Sequence, residues 1–318
     1  DGTLWFGTVN GLTTYDPKTE KFNTYNYSKH NLSVEKIVAD NQNNIWFTTA
    51  TKGVWKFNTK TQKFSAQNHI FNINEAKNIF LSQENVLYVS SEKKYVDAYN
   101  LNTKKRTEIN LKSKNGTPVI VQFIGQFEAN EIIFGTNQGL YKFTPKTQKS
   151  EPLFKELDAK FGFMGVSSVL YTPDNHWYIG TTSKGLFTVY EDGSIFNSRQ
   201  DIFQKNALLF DEISCLYQDL SGTIWVGTAR GISCFDPNNQ GFLGVGPSGN
   251  LEHGIPTASV WSLAENQTAQ FVYIGTDSGI SRLNRETGKF EQFYRRKEQT
   301  LTGEGSENAV LAIEIISE

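Results

Sequence analysis

Four histidines, His30, His69, His176 and His253, are the side chains best suited to moving a proton or holding a metal near neutral pH. Three of them, His30, His69 and His253, fall in segments that join one repeat to the next, and no acid–His pairing is visible for them in the sequence. The chain carries no Ser-His-Asp signature, no phosphate loop and no nucleotide fingerprint. Cys215 and Cys234 lack the nearby ligands that a metal site needs. No catalytic residue, metal ligand or cofactor is therefore assigned.

Recognition is the other chemistry to weigh. Aromatic rings beside cationic and amide groups suit an anionic sugar, because rings stack on its faces and Arg forks its carboxylate. The residues placed to do this are Lys52, His69, Lys94, Phe163 and Lys184, together with Arg199, Arg230, His253, Asp277 and Arg296. What positions them is a repeat.

The phrase Leu4-Trp5-Phe6-Gly7-Thr8 returns as Ile45-Trp46-Phe47-Thr48-Thr49 and, weakened, as Leu87-Tyr88-Val89-Ser90-Ser91. It recurs at Ile133-Phe134-Gly135-Thr136, Trp177-Tyr178-Ile179-Gly180-Thr181, Ile224-Trp225-Val226-Gly227-Thr228 and Val272-Tyr273-Ile274-Gly275-Thr276. The small residues aligned with Gly7 are spaced by 41, 42, 45, 45, 47 and 48. That period suits a four-stranded propeller blade. Residues 33–67 show the pattern: an apolar strand A from Val34, strand B from Ile45, strand C from Val54 and strand D from Lys63, separated by polar turn clusters. The aromatic of strand B wedges between blades, where burying one such side chain is worth roughly 1.5–3 kcal/mol. The small residue after it permits close backbone approach.

Seven B strands and seven A strands are present, but the first B strand has no A strand before it and the last A strand, within 309–316, has no B strand after it. Joined, they make one blade, which removes exposed sheet edges. The expected fold is an all-β, seven-bladed propeller spanning 1–318. Its blades are 309–318 plus 1–25, 33–67, 75–110, 118–151, 165–197, 211–243 and 257–294. The B–C turns and the D–A loops then share one rim. Three D–A loops, 153–165, 197–211 and 244–257, exceed the usual connection length. Trp5, Trp46, Trp177 and Trp225 read as core between blades. Trp261, on a strand A beside the central channel, is placed where it could line a pocket, with core packing the favoured expectation.

The formal net charge of −2 gives no reason to expect nucleic acid, and no run of 18 apolar residues offers a membrane span. Cys215 and Cys234 are expected on strands separated by one other, nearly 10 Å apart, and so as free thiols. Asp1 lies inside a repeat, so the chain reads as a segment of a longer protein.

The stretches Trp5 to Pro17 and Trp225 to Pro237, with Ile213, Leu216, Asp219 and Gly222 ahead of the second, resemble the two-component regulator propeller repeat. That resemblance implies a periplasmic sensor segment of a hybrid two-component regulator, itself not an enzyme, whose parent chain carries a histidine kinase. It further implies signal transduction by carbohydrate sensing, with a glycan or oligosaccharide ligand. The implied partners are a second propeller and an immunoglobulin-like domain of the parent chain, and a homodimer, with no nucleic acid and no direct membrane insertion. Two alternatives stand beside it: a propeller enzyme resembling streptogramin lyases, whose chemistry uses a His with a metal ion, and a purely structural interaction module.

Overall fold

The computed structural model describes residues 3–25, 27, 32–71, 73–91, 95–112, 116–117, 119–162, 164–201, 203–204, 206–238, 241–250, 252–294 and 308–315, with the side chains of Asn68, His69, Asp158 and Tyr294 left aside. The chain is an all-β, seven-bladed propeller of four-stranded antiparallel sheets, and it divides into two compact units, Leu32–Val169 and Asp1–Asn31 with Leu170–Glu318.

The closing sheet contains β1 (Leu4–Thr8), β2 (Gly11–Asp16) and β3 (Lys21–Tyr25) from the start of the chain. In the Leu32–Val169 unit, one sheet runs β4 (Val34–Ala39), β5 (Asn44–Thr49), β6 (Gly53–Asn58) and β7 (Lys63–Ala66). After a short helix, α1 (Asn68–Phe71), comes β8 (Ala76–Leu81), β9 (Val86–Ser91), β10 (Val96–Asn100) and β11 (Arg106–Ile109). The next sheet is β12 (Val121–Glu128), β13 (Glu131–Thr136), β14 (Gly139–Thr144) and β15 (Lys149–Leu153), followed by α2 (Lys155–Phe161). The long connection expected over 153–165 is thus largely a helix.

The unit boundary falls within β16 (Val166–Tyr171), whose sheet continues as β17 (Trp177–Thr181), β18 (Leu186–Val189) and β19 (Ile195–Ser198). Two more sheets follow. They are β20 (Ile213–Gln218), β21 (Ile224–Thr228), β22 (Gly231–Phe235) and β23 (Leu243–Val245), then β24 (Val260–Glu265), β25 (Phe271–Thr276), β26 (Gly279–Asn284) and β27 (Phe290–Tyr294). Last comes β28 (Val310–Ile315), which pairs antiparallel with β1, Leu4 opposite Ile315 and Phe6 opposite Ile313. The blade shared between the two ends of the chain is therefore present.

The repeated residues each have a visible task. A Cβ on Gly135 would stand 2.8 Å from the Val166 carbonyl oxygen, one on Gly227 2.9 Å from Val260 Cγ1, and one on Gly275 2.7 Å from the Val310 carbonyl oxygen. Strand B thus touches the A strand of the next sheet through a position with no room for a side chain. Where the repeat has Ser90 instead, its hydroxyl donates to the Val121 carbonyl at 3.4 Å.

The threonine that follows is a latch on the B–C turn. Thr8, Thr49, Thr136, Thr181, Thr228 and Thr276 donate from Oγ1 to the carbonyls of Gly11, Gly53, Gly139, Gly185, Gly231 and Gly279, at 2.8–3.0 Å. Each also accepts a backbone N–H from the turn, including Lys52 at 3.0 Å, Lys184 at 2.8 Å and Arg230 at 3.1 Å. These six glycines have φ between 71° and 131°, a region that glycine enters without strain.

One feature is common to six of the A strands. Pairing with strand B skips a residue near the start of the strand: Glu35, Lys77, Gln122, Ser214, Trp261 and Leu311 are left out of register. A bulge of this kind turns its extra side chain away from the strand's alternation. That corrects the expectation for Trp261: it is 39% exposed rather than core, with Nε1 donating to Asp277 Oδ1 at 2.6 Å. Trp5, Trp46, Trp177 and Trp225 are buried as expected. Cys215 on β20 and Cys234 on β22 flank β21 and form no disulfide.

Candidate functional site

Tyr178 is buried on β17, and beyond it the outer strands of its sheet face the β20–β23 sheet. Between them lies a cavity of about 570 Å³, within the range of small-molecule sites. Five aromatic side chains line it: Tyr178, Tyr190, Phe196, Phe235 and Phe242. Phe235 meets Tyr178 edge-on at 5.7 Å between ring centroids and Phe242 at 4.8 Å, so this wall is mutually braced. Its inner side continues into a core cluster with Leu186, Leu208, Ile213 and Val226. Phe196 is 57% exposed and stands at the mouth.

The opposite wall is the long connection that follows β19. Gln200, Asp201, Gln204 and Asn206 line the cavity from this strap, and Asn197 joins them from β19. The strap is pinned at both ends. Arg199 donates from Nε and Nη2 to Asp211 Oδ2 at 2.9 and 2.6 Å, and Gln200 N–H donates to Asp211 Oδ1 at 2.7 Å. At the far end Leu209 N–H donates to Ser233 Oγ at 3.0 Å, and the Asn206 carbonyl receives Phe242 N–H at 2.9 Å. Rings on one side and amides on the other can grip a flat molecule by its faces and orient it by its polar edge.

Burial pushes the Tyr178 phenol up to about 12, so at neutral pH it is a neutral hydroxyl. Burial likewise pushes the Cys234 thiol up to about 11, which leaves it protonated and unreactive. His176, on the turn before β17, has Nδ1 2.8 Å from Asp174 Oδ2 and its ring edge-on to Tyr190 at 5.0 Å. Asp174, two residues before His176, carries no assigned role in the sequence, and the pair is seen only in the folded turn. It supports Tyr190 from behind and does not line the cavity.

Of the residues expected to bind, Lys184, Arg199 and Arg230 are brought around the strap. Asn197 Nδ2 donates to the Lys184 carbonyl at 2.9 Å, and the Arg230 guanidinium stacks over Phe210 at 4.4 Å. Arg199 lines the cavity, but its fork is held by Asp211. Asp277 holds Trp261 on the β24–β27 sheet. His253 sits exposed in a turn closed by its N–H to the Asn250 carbonyl at 3.0 Å. Lys52 belongs to the other unit, where its carbonyl accepts from Trp55 Nε1 at 2.9 Å. Lys94, Phe163 and Arg296 lie outside the described residues, as does the His69 side chain.

The fold is that of β-propellers related distantly to both two-component sensor domains and lyases. The extracellular domain of BT4673 from B. thetaiotaomicron, assigned to a hybrid two-component system, is 15% identical with a TM-score of 0.61, covering 92% of this chain and 45% of that one. The present chain thus spans less than half the length of that domain. A streptogramin B lyase is 15% identical with a TM-score of 0.63, covering 86% of this chain and 87% of that one. A catalytically inactive virginiamycin B lyase from Staphylococcus aureus with quinupristin is 11% identical with a TM-score of 0.64, covering 91% and 89%. At these identities the likeness is one of fold. No protein-family model matches the chain, and no curated protein matches its sequence.

The expectation that the segment is not an enzyme is corrected by the lyases, which share this fold over nearly their whole length. The lyase resemblance implies a His with a metal ion. Among the described residues no group of three or more His, Cys, Asp or Glu side chains could hold one. No helix among the described residues is long and apolar enough to cross a membrane.

Proposed function

We propose that this propeller binds a small ring-bearing organic molecule in the cavity between the β17–β19 strands and the β20–β23 sheet. The observation that carries the reading is the cavity itself, about 570 Å³ with an aromatic wall opposite an amide-lined strap. Its polar groups converge on one side, as a site that orients its ligand requires.

Lyase-type chemistry on that ligand is the first form of the reading. It is favoured by correspondence along nearly the full length of both chains, whereas the sensor domain is matched over less than half its length. In an elimination a proton on a ligand carbon would pass to a lining carboxylate, Asp201 or Asp236, as the bond from the adjacent carbon to its oxygen breaks and a carbon–carbon double bond forms, with the neutral Tyr178 hydroxyl giving its proton to the departing oxygen. Incubation with quinupristin, divalent cations added, and chromatography of the products tests it: a new product that Phe196→Ala diminishes supports the reading, and unchanged quinupristin counts against it for this substrate class.

The second form is a sensor module, in which ligand occupancy of the same cavity is relayed to a longer extracytoplasmic receptor. The likeness to the BT4673 extracellular domain favours it. Saturable binding of an oligosaccharide without turnover, weakened by Phe196→Ala, would support this form. No saturable binding in calorimetric titrations across a glycan panel would remove it.

A further inference from the structure

We infer that the cavity takes a flat ring ligand whose buried edge is an uncharged amide, a C=O beside an N–H, as in a lactam or an aryl carboxamide. This rests on the reading that the cavity is the ligand site and holds for either form of it; it adds the class of the ligand.

The register of the sheet carries the inference. Tyr178 on β17 stands opposite Thr188 on β18, and Thr188 stands opposite Phe196 on β19. Residues directly opposite in adjacent strands share a sheet face, with Cβ atoms about 4.5–5.5 Å apart. Ser198, two residues beyond Phe196, is on that face as well. All four line the cavity, with Tyr178 2%, Thr188 5%, Ser198 9% and Phe196 57% exposed. This face therefore brings three buried hydroxyls to the cavity and an open ring to its mouth.

None of the three hydroxyls makes a hydrogen bond to the protein among the described residues. A hydroxyl taken out of bulk water without a partner is a standing cost, which a ligand can relieve by supplying one. Each hydroxyl can donate or accept, so together they match an edge that presents both an acceptor and a donor. An ionised group on that edge would be desolvated against neutral hydroxyls, which disfavours it. A sugar, with hydroxyls around its whole ring, would turn some of them toward Phe235 and Phe242, where no polar group answers. An amide places its acceptor and donor on adjacent atoms and leaves the rest of a ring system apolar for those side chains.

The strap supplies the same chemistry from the other side. The side-chain amides of Gln200, Gln204 and Asn206 make no hydrogen bond to the protein among the described residues, and each offers a donor and an acceptor. They are carried on a backbone already tied through Gln200 N–H to Asp211 and through Leu209 N–H to Ser233.

The test titrates four probes into the full chain by calorimetry: quinolin-2-one, its N-methyl derivative, quinoline and cellobiose. Quinolin-2-one is expected to bind about tenfold more tightly than the N-methyl derivative, which has lost the N–H, or quinoline, which has lost the amide. Cellobiose should be weakest. Tyr178→Phe and Thr188→Val should each weaken quinolin-2-one severalfold and leave quinoline within about twofold. Without ligand both variants should melt at or above the native temperature, since each removes a hydroxyl that has no partner in the protein. Phe196→Ala should weaken every ring probe, and Phe196 is exposed, so that variant keeps the core intact. Equal binding of the three ring probes, or tighter binding of cellobiose, with Phe196→Ala still weakening what binds, overturns the amide edge and leaves the cavity reading standing. Melting of Tyr178→Phe and Thr188→Val well below the native chain would show these hydroxyls to be engaged by the fold and would likewise overturn it. No saturable binding of any probe, or binding indifferent to Phe196→Ala, overturns both.

Discussion

Trp225 Nε1 donates to Asp219 Oδ2 at 2.7 Å, across the turn between the first two strands of its sheet. Trp46 and Asp40 repeat the contact at 2.8 Å. In both turns the other carboxylate oxygen accepts two backbone N–H groups: Gln42 and Asn44 in one, Ser221 and Thr223 in the other. One aspartate therefore shapes the turn and fixes the ring that wedges between sheets. Asp219 is fully buried and also pairs with Arg285 at 3.2 Å, which in turn bridges to Glu265 at 2.6 Å on the β24 strand.

Asp219→Asn should accordingly be costly. It removes a buried charge whose partners remain, and breaking such a pair costs about 3 kcal/mol. Urea denaturation followed by tryptophan fluorescence is the measurement. Asp40→Asn, at which no ion pair is lost among the described residues, should cost less. Equal losses at the two sites would show that Arg285 adds nothing.

The threonine latch makes a separate claim. Thr228 is fully buried, donates to the Gly231 carbonyl at 2.8 Å and accepts from Arg230 N–H at 3.1 Å. Thr228→Val keeps the shape and strands two backbone groups, for a loss of roughly 1–3 kcal/mol. Thr228→Ser keeps the hydroxyl and should lose less than half as much, which chemical denaturation of the two variants in parallel would resolve.

Much of this was legible beforehand. The repeat gave the seven sheets, the shared closing blade, the buried Trp positions and the need for a small residue after each strand-B aromatic. The Gly-Thr step was in plain view, yet its hydroxyl acquires meaning only when the turn carbonyl is seen within reach. The A-strand bulge was invisible, because Trp261 looks like any apolar residue until the register shows it skipped. The long 197–211 connection was flagged for its length, and it does wall the cavity. Its partners Phe235 and Phe242 come from the next sheet, and sequence spacing carries no sign of that meeting.

The strap itself can be probed through Asp211. With Arg199 and the Gln200 N–H both held by its carboxylate, Asp211→Ala releases the first end of the 200–208 segment while the far end stays tied through Leu209 and Asn206. Hydrogen exchange should accelerate at Gln200 and Asp201 well before it changes in β17 or β21. Any gain in binding of an acidic ligand would mark Arg199 as released to the cavity. Uniform acceleration across both sheets would instead mean that Asp211 supports the fold and has no particular hold on the strap.

Glu314, opposite Trp5 in the ladder that closes the propeller, gives the last prediction. Burial alone pushes its carboxyl up to about 7 from an ordinary value of 4.5. The folded chain therefore holds this proton more tightly than the unfolded chain does. Stability from the group is fully present below pH 4.5, declines as the pH rises between 4.5 and 7, and is lost above that window. The loss amounts to roughly 3.5 kcal/mol at most, since each pKa unit is worth about 1.4 kcal/mol. Glu314→Gln should be more stable than the native chain at pH 8, nearly equal to it at pH 4.5, and should flatten this part of the pH profile. Melting temperatures of both proteins at half-unit pH steps would decide it: parallel profiles would mean that Glu314 reaches water in the folded state and that the closing ladder carries no buried charge.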